Sequence, residues 1–170
     1  MTDTTTSDAR YAHENGTWFI RLSGDLRHPL GPALNTLLDR AFAAPDTTQF
    51  LVDLADAETI DSTCLGILAR IANWAGEKAA PRPIIITASE DITETLLAIR
   101  FDRLFELRHS SIRQPENLRD VAPQSTDREQ MSEMVLEAHR RLCAIDDQNK
   151  AVFQSLVEAL ERETGTRRTE

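Results

Sequence analysis

At 170 residues, with 41% hydrophobic and 28% charged side chains, the chain is long enough to bury one sizeable core and to carry an extension. A formal net charge of −9 argues against non-specific nucleic-acid binding and is compatible with a basic protein partner. No apolar run approaches the ~20 residues of a membrane span, and Cys64 and Cys143 form no Cys-x-x-Cys pair, which suits reduced thiols in the cytoplasm.

The start, Met1 to Asp8, is polar and acidic, without the basic and apolar regions of a secretory signal. It is expected to be a disordered lead-in. Tyr11 to His13 and Trp18 to Leu22 flank Asn15-Gly16, a dipeptide suited to a tight hairpin turn. Pro29, Gly31 and Pro32 open a helix whose apolar face is Leu30, Ala33, Leu34, Leu37, Leu38, Ala41 and Phe42, with Pro45 as its stop. Phe50 to Leu54 reads as a strand buried on both faces. A polar turn then delivers Asp61-Ser62-Thr63 to a helix with Leu65, Leu68, Ala69, Ile71, Ala72 and Ala75 inward and Gly76 as its expected stop. Ile84 to Ile86 is the next buried strand, Ser89 caps a short helix, and Leu104 to Leu107 is a final, weaker strand. Two strands first, then strands alternating with helices, predict an α/β fold: a mixed sheet with helices mainly against one face.

Residues 113–125 are polar, contain Pro115 and Pro123, and read as a linker. Beyond it, residues 126–164 contain no Pro and open on a capping box, Thr126 with Glu129. Met131, Val135, Ala138, Leu142, Ile145, Asn149, Val152, Leu156 and Ala159 alternate steps of four and three. This pattern predicts one long C-terminal helix with a coiled-coil seam, in which Val135, Leu142, Asn149 and Leu156 take the a positions and self-association gives a homodimer. Phe153 and Leu160 widen the stripe. They keep a second arrangement open: a helical pair broken near Asp146-Asp147 that packs back on its own domain.

Residues that commonly carry catalysis or metals form no constellation. His13, His28, His109 and His139 are scattered, none at zinc spacing, and His139 reads as a solvated surface residue. The acidic turn of Asp53, Asp56, Glu58 and Asp61 reads as solvated, and neither a metal site nor a cofactor is expected. No Gly-x-Ser-x-Gly or phosphate-binding glycine loop occurs, so an enzyme is not expected. Two hydroxyls, Ser62 and Thr63, do sit where a helix begins. There they could serve as caps, or one could accept a phosphate beside unpaired amides and a positive dipole end.

The run of buried strand, short turn and Asp61-Ser62-Thr63-Cys64-Leu65-Gly66 leading into an apolar helix resembles the signature of STAS domains. Bacterial anti-sigma-factor antagonists are the nearest in pattern. Trp18 to Leu26, ending Gly24-Asp25-Leu26, Pro83 to Thr87 and Phe101 to Phe105 fit the same family in the same order. The resemblance covers residues 8–112. It implies that Ser62 is phosphorylated by a partner that is both a serine kinase of the histidine-kinase-like ATPase type and an anti-sigma factor. Binding of the unphosphorylated form would release the sigma factor, and a serine phosphatase would be a further partner. Asp25, Arg27, Asp61 and Thr63 would surround the phosphosite. Arg27 stands near where many antagonists carry Asp, and such a cation could pair with the phosphate. Some STAS proteins instead serve as structural subunits of larger stress-signalling or lipid-transport assemblies. The C-terminal extension suits that alternative.

Overall fold

A computed structural model describes residues 6–110 and 112–167. Most of the N-terminal lead-in, residues 1–5, lies outside that range, and Asp8 is already the first residue of a strand. Strands β1 (Asp8–Glu14) and β2 (Thr17–Leu26) pair antiparallel, from Asp8 opposite Ser23 to Glu14 opposite Thr17. The turn between them places Asn15 and Gly16 at φ of 49° and 79°. Both values are left-handed, the region that Asn and Gly tolerate best.

The first half of β2 pairs in parallel with β3 (Gln49–Asp53), and its last residues, Gly24 to Leu26, pair in parallel with β4 (Ala57–Ile60). The register shifts between Gly24 and Asp25, where Gly24 takes φ of 79°. That bulge redirects the end of β2 and carries the following turn to the start of α2. Strands β5 (Ile84–Ile86) and β6 (Glu106–Arg108) continue the parallel side, and β7 (Arg119–Asp120) pairs antiparallel with β1. The sheet order is β6-β5-β3-β2-β1-β7, with β4 beside β2. Parallel neighbours need crossovers. Helices α1 (Gly31–Ala43), α2 (Ser62–Glu77) and α3 (Glu90–Ala98) supply them.

Alternation along the strands decides which face the helices cover. Trp18, Ile20, Leu22, Phe50, Val52 and Ile85 join the helix residues Leu34, Leu38, Leu65, Leu68 and Ile71 in one core. Arg21 points to the opposite face, where its guanidinium bonds Gln114 at 2.7 Å and pairs with Asp56. The expected mixed sheet with helices on one face is therefore present.

The segment read as a linker does structural work. Strands β6 and β7 lie at opposite edges of the sheet, so the chain between them must cross it. The Arg21–Gln114 bond puts that crossing on the face away from the helices. Residues 119 and 120 then form β7, and the Val121 amide donates to Ala9 O at 2.9 Å.

Three expectations need correcting. Helix α2 does not stop at Gly76. It runs to Glu77, and Ala79 takes the left-handed position at φ of 49°, with the Ala80 amide donating to Ala75 O and the Ala79 amide to Gly76 O. This is a Schellman ending in which alanine occupies the usual glycine place. The C-terminal segment is not one long helix. It is a hairpin of α4 (Arg128–Cys143) and α5 (Asp147–Arg167), the broken pair that the sequence had left open. No glycine or proline makes the break. Asp146 stops one helix and starts the next: its Oδ1 accepts the Asn149 amide at 2.9 Å, and its Oδ2 lies 3.4 Å from both Arg100 and Arg103. The cap at the start of α4 is Asp127 with Gln130, one residue beyond the expected Thr126–Glu129 box.

The hairpin makes a third layer. Helix α4 packs on α2 and touches α1, and α5 packs on α4. The inward residues of α5 are Asn149, Phe153, Val157 and Leu160, while Val152 and Leu156 are exposed. No described helix is long and apolar enough to cross a membrane.

Candidate functional site

Helix α2 begins where β2, β4 and α4 converge, and Asp61 organises that point. Its amide donates to Leu26 O at 2.9 Å. Its Oδ1 accepts the Cys64 amide at 2.8 Å, and its Oδ2 accepts the His28 amide at 2.6 Å. Asp61 is therefore the N-cap. Ser62 stands at the first helical position with its hydroxyl free of capping, at the positive end of the α2 dipole. Thr63 is turned inward and 5% exposed.

The Ser62 hydroxyl has one partner that the sequence reading missed. His139 of α4 places Nε2 2.8 Å from Ser62 Oγ, and its Nδ1 lies 2.7 Å from Val135 O. A carbonyl only accepts, so Nδ1 carries a proton. In the neutral ring, Nε2 then accepts from the hydroxyl. His139 is not the solvated surface residue expected; it is 3% exposed, with the Phe153 ring edge-on at 5.8 Å. Its position, four residues after Val135 and three before Leu142, was the available signal, since that spacing puts it on the inward stripe of α4.

A serine hydroxyl donating to an imidazole has the polarity of a nucleophile and base. The pair is packed tightly on the α4 side, however. One turn into α2, a Cβ built on Gly66 would lie 2.7 Å from Ala138 Cα and overlap the Ala138 carbonyl. Helices α2 and α4 thus meet backbone to backbone beside the pair, and Ser62 itself is half-buried.

The other residues expected around the site divide. Asp25 and Arg27 follow the β2 bulge, but they engage each other, with Arg27 Nε donating to Asp25 Oδ2 at 2.6 Å. Asp25 also accepts the Thr59 hydroxyl. That bond first, and Arg27 second, hold the Asp25 carboxyl below the ordinary carboxylate range. The Arg27 guanidinium is thus committed to Asp25, within its own turn. Cys64 is buried, and desolvation, with Asp61 adding to it, pushes its thiol far up. The acidic turn is not uniformly solvated either. Asp53 is 3% exposed and accepts the Ala55 amide at 2.9 Å. No metal-holding group of His, Cys, Asp and Glu occurs among the described residues.

The four seam residues do not share one seam. Leu142 and Asn149 are buried within the chain, Val135 supplies the carbonyl that orients His139, and Leu156 is 42% exposed. Asn149 donates its side-chain amide to Ile99 O at 2.8 Å and Leu142 O at 3.1 Å. It ties the hairpin to the end of α3.

No protein-family model matches the chain, and no curated protein matches it. Among solved structures, the chain is similar to the anti-sigma factor antagonist SpoIIAA in its unphosphorylated form: TM-score 0.52, 16% identity, covering 61% of this chain and 88% of that one. It is also similar to the Bacillus cell fate determinant SpoIIAA in the phosphorylated form, with TM-score 0.49, 16% identity and coverage of 61% and 91%. About two fifths of this chain therefore has no counterpart in the first of these structures. The sheet, its order and its helical layer give the chain an anti-sigma-factor-antagonist-like STAS fold.

Proposed function

We propose that the chain is a regulatory protein-binding module of the anti-sigma-factor-antagonist type, switched in the cytoplasm by phosphorylation of Ser62. One observation carries the reading. Asp61 caps α2, so the Ser62 hydroxyl is not needed as the cap and stands at the positive end of the helix. The solved structure of TM-score 0.52 is described as an anti-sigma factor antagonist in its unphosphorylated form, which supports the same reading.

The partner would be a serine kinase of the histidine-kinase-like ATPase type that is also the anti-sigma factor, with a serine phosphatase to reset the switch. The Ser62 oxygen attacks the γ-phosphorus of ATP, the bond to ADP breaks, and the hydroxyl proton passes to a base of the kinase. Asp61 does not serve as that base, because both its oxygens already accept backbone amides. Phosphate adds about −1.5 to −2 charges at the start of α2, which changes the charge of the partner face. The extension that suited an assembly subunit is used in packing against α2, which leaves the regulatory reading ahead.

Incubation with the cognate kinase and ATP, followed by phosphopeptide mapping, tests this. Phosphate on Ser62, abolished by Ser62→Ala with partner binding retained, is the expected result. Phosphate on Thr63 alone would overturn the assignment.

A further inference from the structure

We propose that the α4–α5 hairpin is an intramolecular cap on the Ser62 face, and that a docked hairpin and a phosphate on Ser62 exclude each other. The inference rests on Ser62 as the phosphoryl acceptor and adds the regulation of that site.

Three observations carry it. The first is occupancy. Ser62 Oγ lies 2.8 Å from Nε2 of a histidine that is 3% exposed. A phosphoryl group replaces the hydroxyl proton with a phosphorus and three oxygens, so the bond by which Ser62 joins α4 is lost. While α4 is docked, the hydroxyl is half-buried and engaged by His139.

The second is the make-up of the contact. Beside Ser62, α4 meets α2 through small residues, Gly66 against Ala138, and through one polar pair. At the start of α1, Gly31 faces only the flexible end of the Met134 side chain, so the close backbone approach is made at Gly66. Glycine at position 66 is what lets α4 lie so close, so the fit is specific to this helix. Large apolar side chains such as Leu142 hold α4 further along.

The third is that the hairpin is held together by its own bonds. Arg140 of α4 pairs with Glu161 of α5 at 2.8 Å and with Glu137 at 2.5 Å. Phe153 of α5 stacks edge-on to His139 of α4. The polar segment before α4 provides the end about which the pair can move as a unit, and the ties of Asn149 to Ile99 and of Asp146 to Arg100 and Arg103 are the bonds that release must break.

The test uses the full-length chain and needs no kinase. Ser62→Cys introduces a thiol whose iodoacetamide labelling is followed by peptide mass spectrometry, which separates it from Cys64 and Cys143. Gly66→Ala is added to push α4 away; alanine is the better helix former, so α2 itself is not weakened. Ala138→Leu does the same from the α4 side and leaves the sheet domain untouched. Hydrogen exchange is read in parallel. Each variant is expected to raise the labelling rate at position 62 at least tenfold. Amide protection should be lost in α4 and α5 and kept in β2 and β3. Ser62→Glu should release the hairpin in the same way. The proposal is overturned if labelling is unchanged in both variants, or if both lose sheet protection together with the hairpin, or if Ser62→Glu leaves α4 and α5 protected. Absence of phosphate at Ser62 with the cognate kinase would instead sink the proposed function, and it would leave these labelling and exchange results as they stand.

Discussion

The two faces of α2 are built differently. Toward the sheet it presents Leu65, Leu68 and Ile71, all at most 2% exposed, against Ile20, Phe50 and Val52. Toward α4, beside the phosphosite candidate, it presents a glycine, a serine and the edge of a helix. Large branched side chains give the inner face its burial energy, on the order of 1.5–3 kcal/mol for each one fully buried. The outer face near Ser62 relies on shape and one hydrogen bond, a net contribution of about 0.5–1.5 kcal/mol. A helix can thus belong permanently to one layer and only conditionally to the next. The difference lies in which side chains its turns present.

The largest effect should come from the inner face. Leu68→Ala opens a cavity in a fully packed core and is expected to cost about 2–5 kcal/mol, read as a lower urea midpoint for the whole domain. A loss confined to α4 and α5, with the sheet unaffected, would break the comparison.

Asn149→Leu is the sharper test of the hairpin. If Asn149 lay in a dimer seam, an apolar replacement would stabilise the protein. Here it leaves the carbonyls of Ile99 and Leu142 without their donor, so a loss of about 1–3 kcal/mol is expected, with hairpin amides exchanging first. Since Leu142 and Asn149 are engaged within the chain, light scattering should give the mass of one chain for both the parent and the variant. A rise in thermal midpoint together with a dimer mass would restore the seam.

Asp127→Ala removes the cap of α4. It should cost about 1 kcal/mol and fray the first turn of α4, seen as faster exchange there while β3 is unchanged. Equal destabilisation of the sheet would mean that the hairpin and the domain form one cooperative unit.

The smallest effect concerns the turn after β2. Asp25 has a lowered carboxyl pKa in the folded chain, so its stabilising share is present above the ordinary carboxylate pKa. That share is lost as pH falls through the lowered folded value. Arg27→Ala should raise the Asp25 pKa only part of the way back, because the Thr59 bond is the larger cause. Carboxyl NMR titration measures this. A full return to the unperturbed value would mean that Arg27, rather than Thr59, holds the carboxylate.

Much of the inner architecture was legible beforehand. The Asn15-Gly16 turn, the buried runs at Phe50 to Leu54 and Ile84 to Ile86, and the Ser89 cap are local signals that depend on neighbours in sequence. Ser62 at a helix start was legible for the same reason. Assigning the cap to Asp61 was harder, because Asp, Ser and Thr all cap well. The choice was made by the His28 amide, brought from 33 residues away by the β2 bulge.

The outer layer was misread where a local pattern had two tertiary solutions. A four–three stripe fits a dimer seam and a cis-packed helix equally well, and a break at Asp146 needs no glycine or proline when Arg100 and Arg103 hold the aspartate in place. The role of the 113–125 segment was hidden too, since a polar strap across a sheet has no periodicity.

The sequence by itself determined the strands other than β4, which it read as a polar turn, and β7, which it read as linker, together with the helices of the sheet domain and the placing of Ser62 at a helix start, because backbone propensity, turn chemistry and apolar spacing act over a few residues. Only the tertiary structure decided that His139 meets Ser62 and that Gly66 admits the backbone of α4. It also decided that Asn149 serves the chain's own fold, since each of these contacts joins residues whose nearness follows from the packing of separate layers.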